Sequence, residues 1–229
     1  PKAKVVVKRV PIFSEKSAAG GYYQGSSLDG SRPAAWYANL YDINATQTFK
    51  MPALSFHEAV PGHHLQIALN QENQNQTLLN KFGYRTSAFS EGWALYAERL
   101  AVEAGLLRDP YEQIGSLQSE LFRAARLVVD TGLHSKKWTR EEAIIYMMDN
   151  AGEVRSESES EIERYIVWPG QATSYMIGRI KIMELRERAK AELGNRFNIK
   201  DFHSVVLMNG ILPLTVLEAL VDQYIKENS

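Results

Sequence analysis

Pro61 and Gly62 interrupt the segment where this chain concentrates its metal-binding chemistry, Phe56-His57-Glu58-Ala59-Val60-Pro61-Gly62-His63-His64-Leu65-Gln66. Three of the five histidines and a carboxylate fall within its residues 57 to 64. Two histidines four residues apart on a helix stack on one face, about 6 Å apart along the axis, and can share an ion. Here position 61 is proline. In a regular helix His57 and His64 would share a face but stand about 10.5 Å apart, and His57 and His63 would point about 120° away from each other. Neither pair can then grip one ion. Pro61 lacks an N–H and clashes with the carbonyl four residues back, while Gly62 frees the backbone beside it. With these two residues looped out, His63 falls where a four-spaced partner would stand. The helix must therefore break here for the histidines to converge, with His57 and His63 as ligands. His64 is the runner-up, expected to line the cleft or support the ligands from behind.

No cysteine is present, so any metal must sit on His, Asp or Glu. A hydrolytic zinc site needs three protein ligands and an open fourth position. Glu58, next to His57, occupies the general-base position of an H-E-x-x-H helix. The third ligand is expected from Ser87-Ala88-Phe89-Ser90-Glu91-Gly92-Trp93-Ala94-Leu95-Tyr96-Ala97-Glu98, where Glu91 opens an otherwise small and apolar stretch. Glu98 lies seven residues further on, on the same face, and is placed to orient a ligand. A His-Glu pair alone is more often a surface or capping feature. Its conjunction with Pro-Gly-His-His and the later Glu-Gly-Trp segment favours a metal site.

From about Met51 onward, apolar residues recur at three- and four-residue spacing. The spacing predicts helices over 51–60, 62–72, 87–104, 110–130, 139–150, 156–166, 170–194 and 213–227. Thr139 with Glu142 makes a capping box and Gly152 a stop for the fifth of these. Before them, Val5 to Ile12 and Ala35 to Tyr41 read as short strands, separated by a Gly-, Ser- and Tyr-rich loop from Ser17 to Pro33. The fold expected is mainly α with a small β-sheet near the N-terminus. At 229 residues and 45% hydrophobic content it forms one domain over 1–229. Charge is balanced, 26 Lys plus Arg against 27 Asp plus Glu, so no basic excess points to nucleic acid. No apolar run approaches the length of a membrane span. The chain opens Pro1-Lys2-Ala3-Lys4 without an initiator Met, which suggests a fragment of a longer chain whose signal or lipid anchor would lie upstream.

The segments His57 to Gln66, Ser90-Glu91-Gly92-Trp93-Ala94, Glu161-Ile162-Glu163-Arg164-Tyr165, Pro169-Gly170-Gln171-Ala172 and Tyr175 together resemble the bacterial DUF885 family. Its members look like gluzincin metallopeptidases, distantly similar to angiotensin-converting enzyme and the thimet-type oligopeptidases. The resemblance implies a zincin-like catalytic half, Zn²⁺ held by two His and a Glu, and a Glu that activates water. It favours His63 over His64. It also implies a peptide substrate, and a helical N-terminal portion of the full-length chain forming the opposite wall of the cleft. A periplasmic or membrane-anchored lipoprotein location would follow from an upstream segment.

Peptide hydrolysis also needs donors aimed at the developing oxyanion. In the converting-enzyme type of site a tyrosine about ten residues after a histidine supplies one. Tyr165 and Tyr175 have that spacing here, with Tyr in place of His, so Tyr175 takes the oxyanion role. Gln171 and Tyr175 are expected on one helical face with Gly178 and Arg179, near Arg164. His203, read as a loop or helix-start residue, could supply a further donor or be structural. Arg126, Asp130 and His134 form a stripe at four-residue spacing, with Asp130 a candidate to hold the free N–H of a ligand histidine. Tyr37 and Asn39 share a face of the second strand, which as an edge strand could bind an extended peptide. Two readings compete: a zinc peptidase, and a peptide- or glycan-binding module whose metal site is structural or vestigial. Glu58 favours the first, because a structural site has no use for a base beside its ligand.

Overall fold

The computed structural model describes residues 1–18, 20–43 and 47–229, with the side chains of Ser17 and Phe82 left aside. Residue 19, inside the expected loop, lies outside the described residues. The chain folds as a helical body with a small sheet at its N-terminal end. Three strands, β1 (Val5–Arg9), β2 (Gly21–Gln24) and β3 (Ala34–Ala38), pair in the order β1-β3-β2. β1 runs parallel to β3, with Val5 opposite Ala34, and β2 antiparallel, with Tyr22 opposite Tyr37.

β2 falls in the stretch expected to be loop. Its sequence, Gly-Tyr-Tyr-Gln, has no β-branched residue, and stacking of Tyr22 on Tyr37, with ring centroids 4.9 Å apart, supplies a cross-strand contact instead. β3 is consequently the central strand, not an edge. Its backbone is paired on both sides, which removes the basis for peptide capture along Tyr37 and Asn39. Asn39 turns its amide onto the carbonyls of Glu15 and Ala18.

Among the described residues nine α-helices follow: α1 (Met51–Glu58), α2 (His63–Glu72), α3 (Ser87–Glu103), α4 (Pro110–Ser135), α5 (Arg140–Ala151), α6 (Arg155–Val167), α7 (Ser174–Leu193), α8 (Ile199–Leu207) and α9 (Leu214–Asn228). The capping box of Thr139 and Glu142 is formed in both directions, and Gly152 ends α5 in a left-handed conformation at φ 65°. α4 continues one turn past residue 130. α8 was not expected; Asn198 caps it, accepting from Lys200 N, and Phe202 and Val206 supply a buried face four residues apart. None of these helices is long and apolar enough to cross a membrane.

Apolar side chains gather in two clusters. One packs α3, α7, α8 and α9 around Phe89, Trp93, Ile182, Leu185, Phe202 and Leu217; the other packs α4, α5 and α6 around Val129, Ile144, Met147 and Ile162. α1 packs against both α3 and α4, which places its buried face, including His57 and Glu58, beside both helices. α3 and α7 cross in close contact at Gly92 and Gly178. A Cβ on Gly178 would overlap the carbonyl oxygen of Ala88 and sit 2.7 Å from Gly92 Cα. The crossing admits no side chain between the two backbones.

Gly178→Ala should therefore destabilise the fold by about 1–3 kcal/mol or more, the usual cost of overpacking. Denaturant unfolding measures it, and a variant within about 0.5 kcal/mol of the parent, the range of an ordinary surface substitution, would show that the helices need not pass this close.

Candidate metal centre

The helix does break at Pro61. α1 stops at Glu58 and α2 restarts at His63, with a cis peptide bond between Val60 and Pro61. The restart folds back onto the end of α1: His64 N donates to Ala59 O at 3.1 Å, and a Cβ on Gly62 would overlap the carbonyl oxygens of His57 and Phe56. Only glycine fits there. From α3, Trp93 Nε1 donates to Pro61 O at 2.9 Å and pins the break in place.

With the backbone turned in this way, the rings of His57 and His63 meet at right angles, centroids 4.8 Å apart. Glu91 reaches both: its Oε2 is 3.5 Å from His57 Nε2 and 3.2 Å from His63 Nε2. One ligand atom from each of His57, His63 and Glu91 lies within 4.8 Å of the others. These are the three residues that spacing and composition single out.

His64 points elsewhere. Its Nδ1 is 3.0 Å from the Tyr23 hydroxyl and its Nε2 3.0 Å from Ala3 O, so it ties the N-terminal segment and sheet to α2 rather than lining the metal site. The reason is geometric: adjacent residues on a helix point about 100° apart.

Glu98 shares the face of Glu91, as its spacing implies, and lies 2.8 Å from His57 Nδ1. Its other oxygen accepts from Ser119 Oγ at 2.6 Å, and Arg123 of α4 stands 3.5 Å away. Burial alone would raise the Glu98 pKa, but Arg123 and the His57 bond hold it below the ordinary value. For His57, burial pulls the pKa down, while Glu91 and Glu98 outweigh it and bring it to about 9. With Nδ1–H turned to Glu98, His57 presents Nε2 to Glu91. Sequence does not single out Ser119 and Arg123, and it marks Trp93 only as part of the Glu-Gly-Trp segment. The available signal was Ser119, Arg123 and Arg126 spaced along one side of α4, but spacing does not reveal what lies opposite.

Glu58 is 5% exposed, and its Oε2 is buried with no hydrogen-bond partner among the described residues; so is His63 Nδ1. Three carboxylates, Glu58, Glu91 and Glu98, thus surround His57 and His63, against the single guanidinium of Arg123. To bind a metal, His57 must give up the proton that Glu91 and Glu98 hold on it; the group then carries two excess negative charges, which a divalent cation would cancel. Two imidazole nitrogens and a carboxylate are also the donor set of hydrolytic zinc sites. The residues fit a divalent metal.

Tyr175 lies over the site, its ring 6.2 Å from that of His57 and nearly parallel. Burial and the nearby Glu91 raise its pKa, so the hydroxyl keeps its proton. Gln171 Nε2 donates to that hydroxyl at 3.3 Å. Contrary to expectation, Gln171 is not on α7 with Tyr175 but in the turn before it, because the helix starts only at Ser174. Arg164 Nη1 donates to Gln171 Oε1 at 2.7 Å, and Arg164 Nη2 to Glu161 Oε2 at 2.7 Å. The same carboxylate oxygen accepts from Tyr165 at 2.6 Å and from Arg126 Nη2 at 2.8 Å. Arg126 also donates from Nε to the Tyr165 hydroxyl at 2.7 Å and covers the Tyr175 ring, with Cζ 4.5 Å from its centroid. Tyr165 therefore braces Arg126.

Three other expectations are corrected. Asp130 accepts from Gly170 N at 3.1 Å with each oxygen, holding the turn before α7 and not a ligand histidine. Arg179 pairs with Glu120 at 2.8 Å, joining α7 to α4. His203 lies on α8, 2.8 Å from the Tyr96 hydroxyl and edge-on to Trp93; it braces Trp93 from the side of α8 and is not a donor to the site. His134, the last of the stripe on α4, contacts the carbonyl of Tyr165 at 3.0 Å.

The model of a family described as "Bacterial protein of unknown function (DUF885)" matches residues 1–221. No curated protein matches the chain. Two solved structures, each described as a "putative lipoprotein", are similar. One, from Colwellia psychrerythraea, has 47% identity and a TM-score of 0.96 over 99% of this chain and 39% of its own. The other, from Shewanella oneidensis, has 27% identity and a TM-score of 0.80 over 96% of this chain and 40% of its own. The chain thus spans about two fifths of each structure.

The cluster around Glu161 makes an acid-stability prediction. Burial alone would raise its carboxyl, yet Arg126 and Arg164 lower it to about 2 in the folded protein, against 4.5 ordinarily. Its contribution is therefore complete above about pH 5 and lost as pH falls toward 2. Glu161→Gln should cost about 3–5 kcal/mol at neutral pH, with the gap to the parent closing between pH 5 and 2. Chemical denaturation across that range measures it; a gap independent of pH would contradict the assignment.

Proposed function

The chain belongs to the DUF885 family of bacterial proteins, and from the site its helices assemble we propose that it is the metal-bearing part of a zinc-dependent peptidase. The observation that carries this reading is Glu58: a buried carboxylate oxygen with no hydrogen-bond partner among the described residues, on the residue next to His57, in a cluster whose charge calls for a divalent cation. A purely structural metal site gives no account of that oxygen.

His57 Nε2, His63 and Glu91 would hold the ion. Zinc held there would supply Lewis-acid chemistry, polarising a scissile carbonyl and lowering the pKa of water toward neutrality. Glu58 Oε2 accepts that proton and returns it to the departing amine nitrogen. Tyr175 donates its hydroxyl hydrogen to the oxygen that becomes negative at the tetrahedral carbon. Gln171 assists by donating to the same phenol oxygen, which leaves the tyrosine hydrogen free for the substrate. Glu98 fixes the orientation of the His57 ring through Nδ1, and Arg123 with Ser119 fixes Glu98.

Similarity to structures described as lipoproteins supports an anchored, envelope setting for the whole protein. A helical N-terminal portion would then close the cleft from the other side, and peptides would be the substrates.

Replacing Glu58 by Gln in the full-length protein should lower kcat by about 10²–10⁴-fold, the usual contribution of a positioned general base, while zinc content measured by atomic emission stays unchanged. Activity at the parent level would overturn the role of Glu58. Glu98→Gln should leave hydrolysis detectable but weaken zinc binding by about 10- to 100-fold, measured by competition with a chelating dye; unchanged affinity would remove Glu98 from the site.

A further inference from the structure

Beside the negatively charged metal centre lies a cluster of the opposite sign. Arg126 and Arg164 share one carboxylate oxygen, Glu161 Oε2, at 2.8 and 2.7 Å. Two guanidiniums on one carboxylate leave one excess positive charge. Arg126 is 6% exposed and its Nη1 is buried with no hydrogen-bond partner among the described residues, so this charge is not dissipated by water. Asp130, one turn along α4 from Arg126, accepts from the amide of Gly170 and, among the described residues, makes no ion pair with either arginine. Cations held this deep need pairing, and here both arginines draw it from one carboxylate oxygen, with the Phe122 and Tyr175 ring centroids 4.3 and 4.5 Å from Arg126 Cζ.

The cluster connects directly to the reacting end of the site. Arg164 bonds Gln171, Gln171 bonds the Tyr175 hydroxyl, and Tyr175 lies over His57. Arg164 is also the member open to solvent: its side chain is 25% exposed, against 7% for Arg126, and Glu91 at the metal centre is 18% exposed. Its head group is held by Glu161 and Gln171, so little side-chain freedom remains to be lost when an anion arrives.

Resting on the peptidase reading, we propose that Arg164, backed by Arg126, is the specificity-determining group that binds a carboxylate of the substrate, placing the scissile bond a short, fixed distance from a negative charge. That carboxylate is either the free C-terminus of the peptide, which would make the enzyme a carboxyl-end exopeptidase, or an acidic side chain near the scissile bond. Both sources present the planar oxygen pair that a guanidinium recognises.

The test uses the zinc-loaded full-length protein and a mixed-sequence peptide library in three forms: free C-terminal acids, C-terminal amides, and amides with Asp or Glu fixed at successive positions. Products are read by mass spectrometry. Preference for the acids over the amides, on the order of 10- to 100-fold as for hydrogen bonds to a charged group, supports C-terminal recognition, with cleavage at a constant distance from that end. A comparable preference for one acidic position among the amides supports side-chain recognition. Arg164→Gln should collapse whichever ratio is found, mainly through KM, and Arg164→Lys should restore part of it. Thermal unfolding verifies that each variant is folded. Equal cleavage of all three libraries by the parent protein overturns the inference while leaving the peptidase reading intact. A zinc-loaded protein that cleaves none of them overturns both.

Discussion

The passage of Gly62 over the carbonyls of Phe56 and His57 is the contact on which the site depends. A side chain there would push α2 away from α1, and the two histidine rings would no longer meet. What keeps the turn closed comes from a third helix. Trp93 of α3 holds Pro61 O, and two residues earlier the same helix carries Glu91, which reaches both histidines. The group that fixes the break and the group that completes the ligand set are therefore one rigid unit. His203 of α8 packs edge-on to Trp93 and carries the constraint into the larger apolar cluster.

Charge organises the surroundings of this contact into two neighbouring groups of opposite sign. Around His57 and His63 the carboxylates outnumber the single guanidinium by two; around Glu161 the guanidiniums exceed the carboxylate by one. Left alone, each imbalance would be costly in a buried setting. Together they would suit the proposed binding of a divalent cation on one side and an anionic group on the other, with Tyr175 and Gln171 between them. α4 serves both groups, with Ser119 and Arg123 on the first and Arg126 on the second, three to four residues apart on one side of the helix.

The cluster of His57, His63 and Glu91 was legible in the sequence because metal chemistry restricts residue types and helical geometry restricts spacing. His57 and His63 cannot share an ion through a regular helix, so Pro61-Gly62 had to be a break, and the break is there. The capping box at Thr139 and the stop at Gly152 were legible for the same reason: each is a local bond between residues close in sequence. What spacing could not reveal was the partner across a packed interface. Asp130 looked like a support for a ligand histidine and instead holds Gly170. His64 looked like part of the cleft and instead faces Tyr23. Strand β2 escaped notice because its stability comes from Tyr37 on another strand, and α8 because its capping asparagine lies in a short segment between longer helices.

The crossing of α3 and α7 explains how a helix from late in the chain can supply a group to a site built by early ones. Gly92 and Gly178 let the two backbones touch, and Gly92 is adjacent to Glu91 while Gly178 is one turn from Tyr175. The distance between the carboxylate ligand and the phenol is thereby set by backbone contact rather than by flexible side chains. Such a contact is stiff, since neither helix can approach further or withdraw without opening a void. The placement of Tyr175 against the His57, His63 and Glu91 cluster is thus a property of two glycines at a helix crossing. The short turn before α7, held by Asp130 through Gly170, then brings Gln171 to the phenol oxygen and Arg164 beside it.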